Sequence, residues 1–147
     1  TPRLLLREVE GRRRMMPIYI GTPEATAIHY ALEGVVPPRP LTHDLFIETL
    51  KELNTELTMV VVTEMREHTY FAELHLRTAE QTNLVISSRT SDAVALAVRC
   101  DCPIMTTEEL IDEVGQEAPE APDEEEEQEI LDEFREFIDH VNPEDFG

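Results

Sequence analysis

Tryptophan is absent from this chain, and in 147 residues there are two cysteines, five glycines and a single lysine, Lys51. Each shortage excludes something. Two cysteines cannot make a disulfide framework, and Cys100 and Cys102, in C-D-C, are spaced wrongly for a zinc knuckle, so they read as reduced thiols near a strand. Nothing in the sequence around Cys100 would lower its pKa enough to make it a nucleophile. There is no glycine-rich phosphate loop, no G-x-S-x-G elbow, no H-E-x-x-H and no paired C-x-x-C, which sets aside P-loop, serine-hydrolase and zincin chemistry along with nicotinamide and flavin enzymes. No apolar run approaches the ~20 residues that span a bilayer, and no secretory signal is present. A cytoplasmic location with no membrane partner is the default expectation. The chain opens at Thr1, so a preceding piece is expected.

What is plentiful is acid. The net charge is −20, yet it is unevenly spread: residues 1–106 carry 14 acidic and 11 basic side chains, whereas residues 107–147 carry 18 acidic side chains and one arginine. A charge of −20 argues against a polyanionic partner, because phosphate binding draws on cations. The near-neutral body escapes that exclusion. Ten of its eleven basic residues are arginine, whose planar fork suits phosphate and carboxylate.

The length fits one well-packed domain. Leu4–Glu10 and Met15–Ile20 read as strands of a hairpin turning at Gly11–Arg13. A helix follows from Thr22 to Gly34, with Thr22 as cap, Pro23 and Glu24 in the first turn and an apolar stripe of Ala25, Ile28 and Leu32. The proline-rich VVPPRP is a stiff connector, and the helix after it, Thr42 to Leu53, has an apolar face of Leu45, Phe46, Leu50 and Leu53. Leu57–Thr63 is apolar on both faces, which predicts a strand covered on both sides. Tyr70–Arg77 and Asn83–Ser88 alternate as strands, Tyr70, Ala72, Leu74 and Leu76 pointing one way in the first and Leu84 and Ile86 opposite Val85 in the second. Ser91–Arg99 is alanine-rich and predicts a buried helix. Pro103–Met105 is a brief strand, and Thr107 caps a last short helix ending near Val114.

From residue 116 to 127 the composition turns to proline, alanine and glutamate, a linker. Residues 128–147 regain a pattern: Ile130, Leu131, Phe134, Phe137, Ile138 and Val141 recur at helical spacing beneath a dense acidic face. The expectation is therefore an α+β domain over residues 1–115, with helices packed against a mixed sheet, followed by a linker and an amphipathic tail helix. The tail's apolar stripe needs a surface, on its own domain, a second subunit or another protein.

Two segments resemble each other. In R-P-L-T-H-D, Arg39 precedes Thr42, His43 and Asp44; in R-T-S-D, Arg89 precedes Ser91 and Asp92. Helix starts offer unpaired N–H groups and the positive end of the dipole to an anion. If the fold joins these two mouths, Arg39 and Arg89 clamp a phosphate beside Thr42 and Ser91. Asp44 and Asp92, with Glu24, would then hold a divalent metal such as Mg²⁺ or Mn²⁺, and His43 and the aspartates would serve acid–base catalysis. Glu73 and His75 are further candidates. The same residues also read as plain helix starts, each cap or dipole partner contributing ~0.5–1 kcal/mol, and spacing alone favours that structural reading. His29 reads as a helix-flank residue, His68 as a turn residue and His140 as part of the tail. His75 is open between a site and a subunit contact.

Three blocks carry a resemblance: M-P-I-Y-I-G-T-P-E-A-T-A-I, then L-E-G-V-V-P-P-R-P-L-T-H-D-L, then S-S-R-T-S-D-A-V-A-L-A-V-R with P-I after it. In this order, across Leu4–Gly115, the chain resembles the bifunctional nuclease family, and its acidic end in N-P-E-D-F is similar to tails of actinobacterial members. The resemblance implies a compact α+β domain, homo-oligomeric with a dimer as first guess, and a nuclease hydrolysing DNA or RNA. It also implies another strand ahead of Leu4. Glu24, Arg39, Thr42, His43, Asp44, Arg89, Ser91 and Asp92 lie in the matching motifs. The alternative is a non-catalytic oligomeric module whose acidic helix engages a protein partner.

Overall fold

The computed structural model describes residues 1–117. The expected linker beyond Glu117 and the tail helix lie outside the described residues. The chain runs β1 (Arg3–Arg7), β2 (Met15–Tyr19), α1 (Thr22–Glu33), α2 (Thr42–Glu52), β3 (Glu56–Arg66), β4 (Thr69–Arg77), β5 (Asn83–Arg89), α3 (Thr90–Cys100), β6 (Ile104–Thr106) and α4 (Glu108–Val114). β1 and β2 form an antiparallel hairpin, and the second sheet has the order β5-β4-β3-β6, antiparallel except for the parallel β3–β6 pair. This is an α+β fold with a mixed sheet.

Helix α3 organises it. Ala93, Val94, Ala95, Leu96 and Ala97 are consecutive and all buried. Five residues at 100° each travel right round a helix, so neighbours must cover every side of α3. Ile28 of α1 packs with Val94 and Ala95. Ile47 of α2 and Leu57, Val60, Leu74 and Leu76 of the sheet pack with Ala93, Leu96 and Ala97. The alanines are what let three elements approach one helix at once. A third cluster, Met16, Ile18, Val62, Leu110 and Ile111, seats the hairpin and α4 on β3.

Arg14 locks the hairpin to α4. It is 6% exposed, donates from Nε and Nη2 to Glu8 (3.1 and 3.0 Å) and from Nη1 to Asp112 (2.6 Å). A backbone bridge between Met15 and Gln116 closes the same corner.

Several expectations from the sequence are corrected. Leu57–Thr63 is not covered on both sides: Leu57, Val60 and Val62 are buried, while Met59 and Val61 face the other side and are only half-buried. A register shift between Leu57 and Met59 puts Leu57 on the same face as Val60 and Val62, and the apolar Met59 and Val61 lie on the less covered face. Helix α2 buries Ile47, with Leu50 packed alongside, and leaves Leu45, Phe46 and Leu53 exposed. Leu32 of α1 is exposed, and Thr26 and Tyr30 are buried instead. The caps differ too: Gly21, Leu41 and Arg89 hold the N-cap positions of α1, α2 and α3 without side-chain caps, so Thr22, Thr42 and Ser91 sit inside their helices. Thr107 does cap α4, accepting from the Leu110 N–H at 3.1 Å. No helix among the described residues is long and apolar enough to cross a membrane.

Replacing Ile28 by alanine removes its packing on Val94 and Ala95 and leaves a cavity between α1 and α3 that an all-round packed helix cannot close. The expected cost is about 2–4 kcal/mol, read from the shift in urea midpoint at unchanged slope.

Candidate functional site

Three helices begin at one cleft. β5 runs into α3 without a loop, Arg89 ending the strand and Thr90 opening the helix, so the buried α3 fixes where Arg89 and Asp92 stand. The starts of α1 and α2 meet them there. A cleft of about 650 Å³ is lined by Pro23 and Glu24, by Thr42, His43 and Phe46, by Leu74, Ile86, Ser87 and Ser88, and by Arg89, Asp92 and Leu96. A smaller one of about 470 Å³ shares Glu24 and Arg89 with it and adds Gly21, His68, Tyr70, Thr90 and Ser91. The Arg89–Glu24 pair stands where the two clefts meet.

The polar groups form one connected chain. Arg89 donates from Nε to Asp92 Oδ2 (2.7 Å) and from Nη2 to Asp92 Oδ1 (3.1 Å), a bidentate fork, and from Nη1 to Glu24 Oε1 (3.0 Å). His43 Nε2 lies 2.9 Å from Asp92 Oδ1. Burial pushes the Asp92 carboxyl up, but hydrogen bonds from Arg89 and His43 outweigh it and hold the group below its ordinary value. Asp92 is therefore ionised at neutral pH and accepts only, which requires the proton on His43 Nε2 and leaves Nδ1 as the basic nitrogen of the neutral ring. The bonds from Asp92 and then Glu24 raise the Arg89 pKa further. Three of the five guanidinium N–H groups are used and two remain for an incoming anion.

Glu24 is held from behind. A side-chain carbon on Gly21 would collide with Glu24 Oε2, so glycine at this position lets the carboxylate lie across the backbone and face Arg89. Thr90 is 3% exposed, and its hydroxyl has no hydrogen-bond partner among the described residues.

The sequence candidates separate here. Glu24, Thr42, His43, Arg89 and Asp92 line the larger cleft and Ser91 the smaller. Asp44 is turned away: its Oδ2 accepts from the Leu41 N–H (3.1 Å) and its Oδ1 from Arg99 Nε (2.7 Å), joining the start of α2 to the end of α3. Arg39 is exposed on the connector, outside both clefts. Arg89 stands between Glu24 and Asp92, and Asp44 faces Arg99, so these carboxylates do not make a cation set. No group of three or more His, Cys, Asp or Glu among the described residues is placed to hold a metal. Glu73 and His75 pair with each other (3.1 Å), outside both clefts. Burial and then Cys100 push the Cys102 thiol up to about 12, the opposite of an activated nucleophile.

Sequence reasoning missed Thr90 and the placement of His68. Glu67 and His68 both have positive φ (50° and 64°) in the tight β3–β4 turn, and that turn carries His68 to the rim of the smaller cleft. Two consecutive left-handed residues fit a type I′ hairpin, but the usual Asn-Gly signal is absent.

The bifunctional nuclease domain profile matches residues 4–119, a span that contains both clefts and every residue of the chain just described. The chain belongs to the bifunctional nuclease family. It is 40% identical over 149 residues to an uncharacterized protein of Mycobacterium tuberculosis, covering 99% of this chain and 88% of that protein. Bifunctional nuclease 1 of Arabidopsis thaliana is 28% identical over 111 residues, 74% of this chain and 34% of the plant protein. Bifunctional nuclease 2 of Oryza sativa subsp. japonica is 27% identical over 111 residues, with the same coverage. The mycobacterial similarity thus runs through the acidic end, and the plant similarity stops at the domain.

The depressed Asp92 and Glu8 carboxyls fix the sign of the acid response. Each contributes stability that is fully present above its ordinary pKa, 3.8 for Asp and 4.5 for Glu, and is lost as pH falls through its lower folded value. Urea midpoints measured downward from pH 5 should fall, and Asp92→Asn should flatten part of that fall while leaving the Glu8–Arg14 part in place.

Proposed function

We propose that this domain hydrolyses phosphodiester bonds of DNA or RNA in the larger cleft, with Arg89 as the phosphate-binding group and the His43–Asp92 pair as the acid–base element; Ser91 serves the phosphate from the smaller cleft, which shares Arg89. The observation that supports it best is the unbroken chain Glu24–Arg89–Asp92–His43 across three helix starts. Helix dipoles and the two unused Arg89 N–H groups favour an anion. Asp92 orients His43 so that Nδ1 accepts a proton from the attacking water as its oxygen bonds phosphorus and the ester P–O bond breaks. With neutral His43, the chain of four carries one net negative charge, which opposes a phosphate. Protonation of His43, or a cation arriving with the substrate, removes that charge. Thr42 lines the same cleft and belongs to the phosphate seat in this reading. Arg39 and Asp44 enter only if the α2 start rearranges on binding.

A second reading is supported by a different observation. β5 is an edge strand with Leu84, Val85 and Ile86 at 43%, 55% and 44% exposure. Exposed apolar edge strands pair with other chains, as a homo-oligomeric, non-catalytic interaction module would; a dimer is the simplest form.

Purified protein should nick plasmid DNA or degrade single-stranded RNA, assayed with added Mg²⁺ or Mn²⁺ and with chelator. His43→Ala is expected to lower the rate by ~10²–10⁴ and Arg89→Ala by ~10²–10³, with circular dichroism unchanged. Asp44→Ala should reduce stability more than rate. Gly21→Ala, which pushes Glu24 off Arg89, should lower the rate without unfolding the protein. Equal rates in the parent, His43→Ala and Arg89→Ala would mark the activity as a contaminant's and leave the interaction-module reading.

A further inference from the structure

The function proposed for the Arg89 cleft leaves the corner between the hairpin and α4 unused, and the described chain ends there. A groove between the hairpin and the β6–α4 segment is lined by Leu6, Val9, Met16, Ile104, Met105 and Ile111, with a volume of about 370 Å³. Val9 is 84% exposed, Met105 49% and Ile104 36%, so apolar surface stands open on a rim. Beside it lies the densest cationic stretch of the chain. Five of the eleven basic residues in residues 1–106 fall within the first 14 positions: Arg3, Arg7, Arg12, Arg13 and Arg14. Arg14 is consumed by Glu8, Asp112 and Glu108, and the groove's own wall carries Glu8, Glu10 and Glu108 beside Arg7. Arg7, Arg12 and Arg13 remain at the surface.

The chain leaves β2 through the Met15–Gln116 bridge, and the next residue, Glu117, already pairs with Arg12 at 2.6 Å. Such an exposed pair contributes little by itself, but it places the last described residue beside the hairpin. Thirty residues follow, with thirteen carboxylates and one arginine, and with apolar positions at helical spacing from Ile130 to Val141.

We propose that residues 118–147 dock on their own domain at this corner, the apolar stripe in the groove and the acidic face against Arg7, Arg12 and Arg13. The apolar match of the groove and the point where the described chain ends select the same surface, and the exposed Arg7, Arg12 and Arg13 are the cations within reach of the acidic face. The 13 Cα–Cα steps from Glu117 to Ile130 reach up to about 40 Å when extended, so the groove is well within range, and tethering supplies a local concentration on the order of millimolar. Docking covers the hairpin arginines and screens that face from other polyanions. It is independent of the catalytic reading: the groove shares no residue with either cleft.

Amide hydrogen exchange of the full chain tests it. Segment 128–141 should exchange at least ten-fold more slowly than the same segment in a synthetic peptide of residues 128–147, at a rate independent of protein concentration. The slowing should disappear in the Arg12→Glu/Arg13→Glu double variant and in Val9→Asp, all at exposed positions, and should weaken in about 0.5 M salt, where charges are screened within about 4 Å. Exchange as fast as the free peptide's would overturn the proposal. So would protection that grows with protein concentration, which would assign the groove to another copy's tail, or protection that both variants leave intact, which would place the contact elsewhere.

Discussion

Burial of the 90–100 helix on every side is the constraint from which the candidate site follows. A helix touched by α1, by α2 and by the sheet cannot rotate or slide without opening all three contacts, and the strand β5 enters it with no intervening loop. The junction residue Arg89 therefore has a fixed origin, and so does Asp92 one turn on. Around that fixed point the α1 start supplies Glu24 and the α2 start supplies His43. Small side chains make this possible: Ala93, Ala95 and Ala97 give up packing volume so that three partners come close enough for their first turns to share a cleft.

The same local pattern then has two outcomes. Asp44 and Asp92 both stand at the third position of a helix, both follow an arginine by a few residues, and both complement a helix dipole. Asp44 finds Arg99, at the far end of α3, and becomes a brace between two helices. Asp92 finds the arginine three residues before it and a histidine from another helix, and becomes the centre of a hydrogen-bonded chain open to solvent. Which carboxylate braces and which faces the cleft depends on which cation lies across the gap. The acidic character of the whole chain plays no part, since the cleft residues come from the near-neutral body.

Much of the architecture was readable from pattern. The order of strands and helices, the buried alanine-rich helix, the hairpin, the Thr107 cap and the inward set Ala72, Leu74 and Leu76 all follow from local periodicity. Failures occurred where a local rule had a competitor. In β3 the apolar Met59 and Val61 on the half-buried face imitated a strand covered twice. Leu45, Phe46 and Leu53 looked like the inner face of α2, yet tertiary packing took Ile47 and left them outside. Threonine and serine one position inside a helix resembled caps. His68 lacked the turn signature that would have placed it at a cleft.

By itself the sequence determined which segments become helices and strands, that a near-neutral body precedes an acidic end, and which motifs mark the family, because propensity, periodicity and charge are properties of neighbouring residues. Only the tertiary structure decided that Arg89 joins Glu24 to Asp92 and that His43 meets Asp92, while Arg39 and Asp44 stay out of the chain. Those distances span up to 65 positions of chain, and the packing of α1 and α2 around one buried helix sets them. No spacing along the sequence encodes which side of a helix start will look into the cleft.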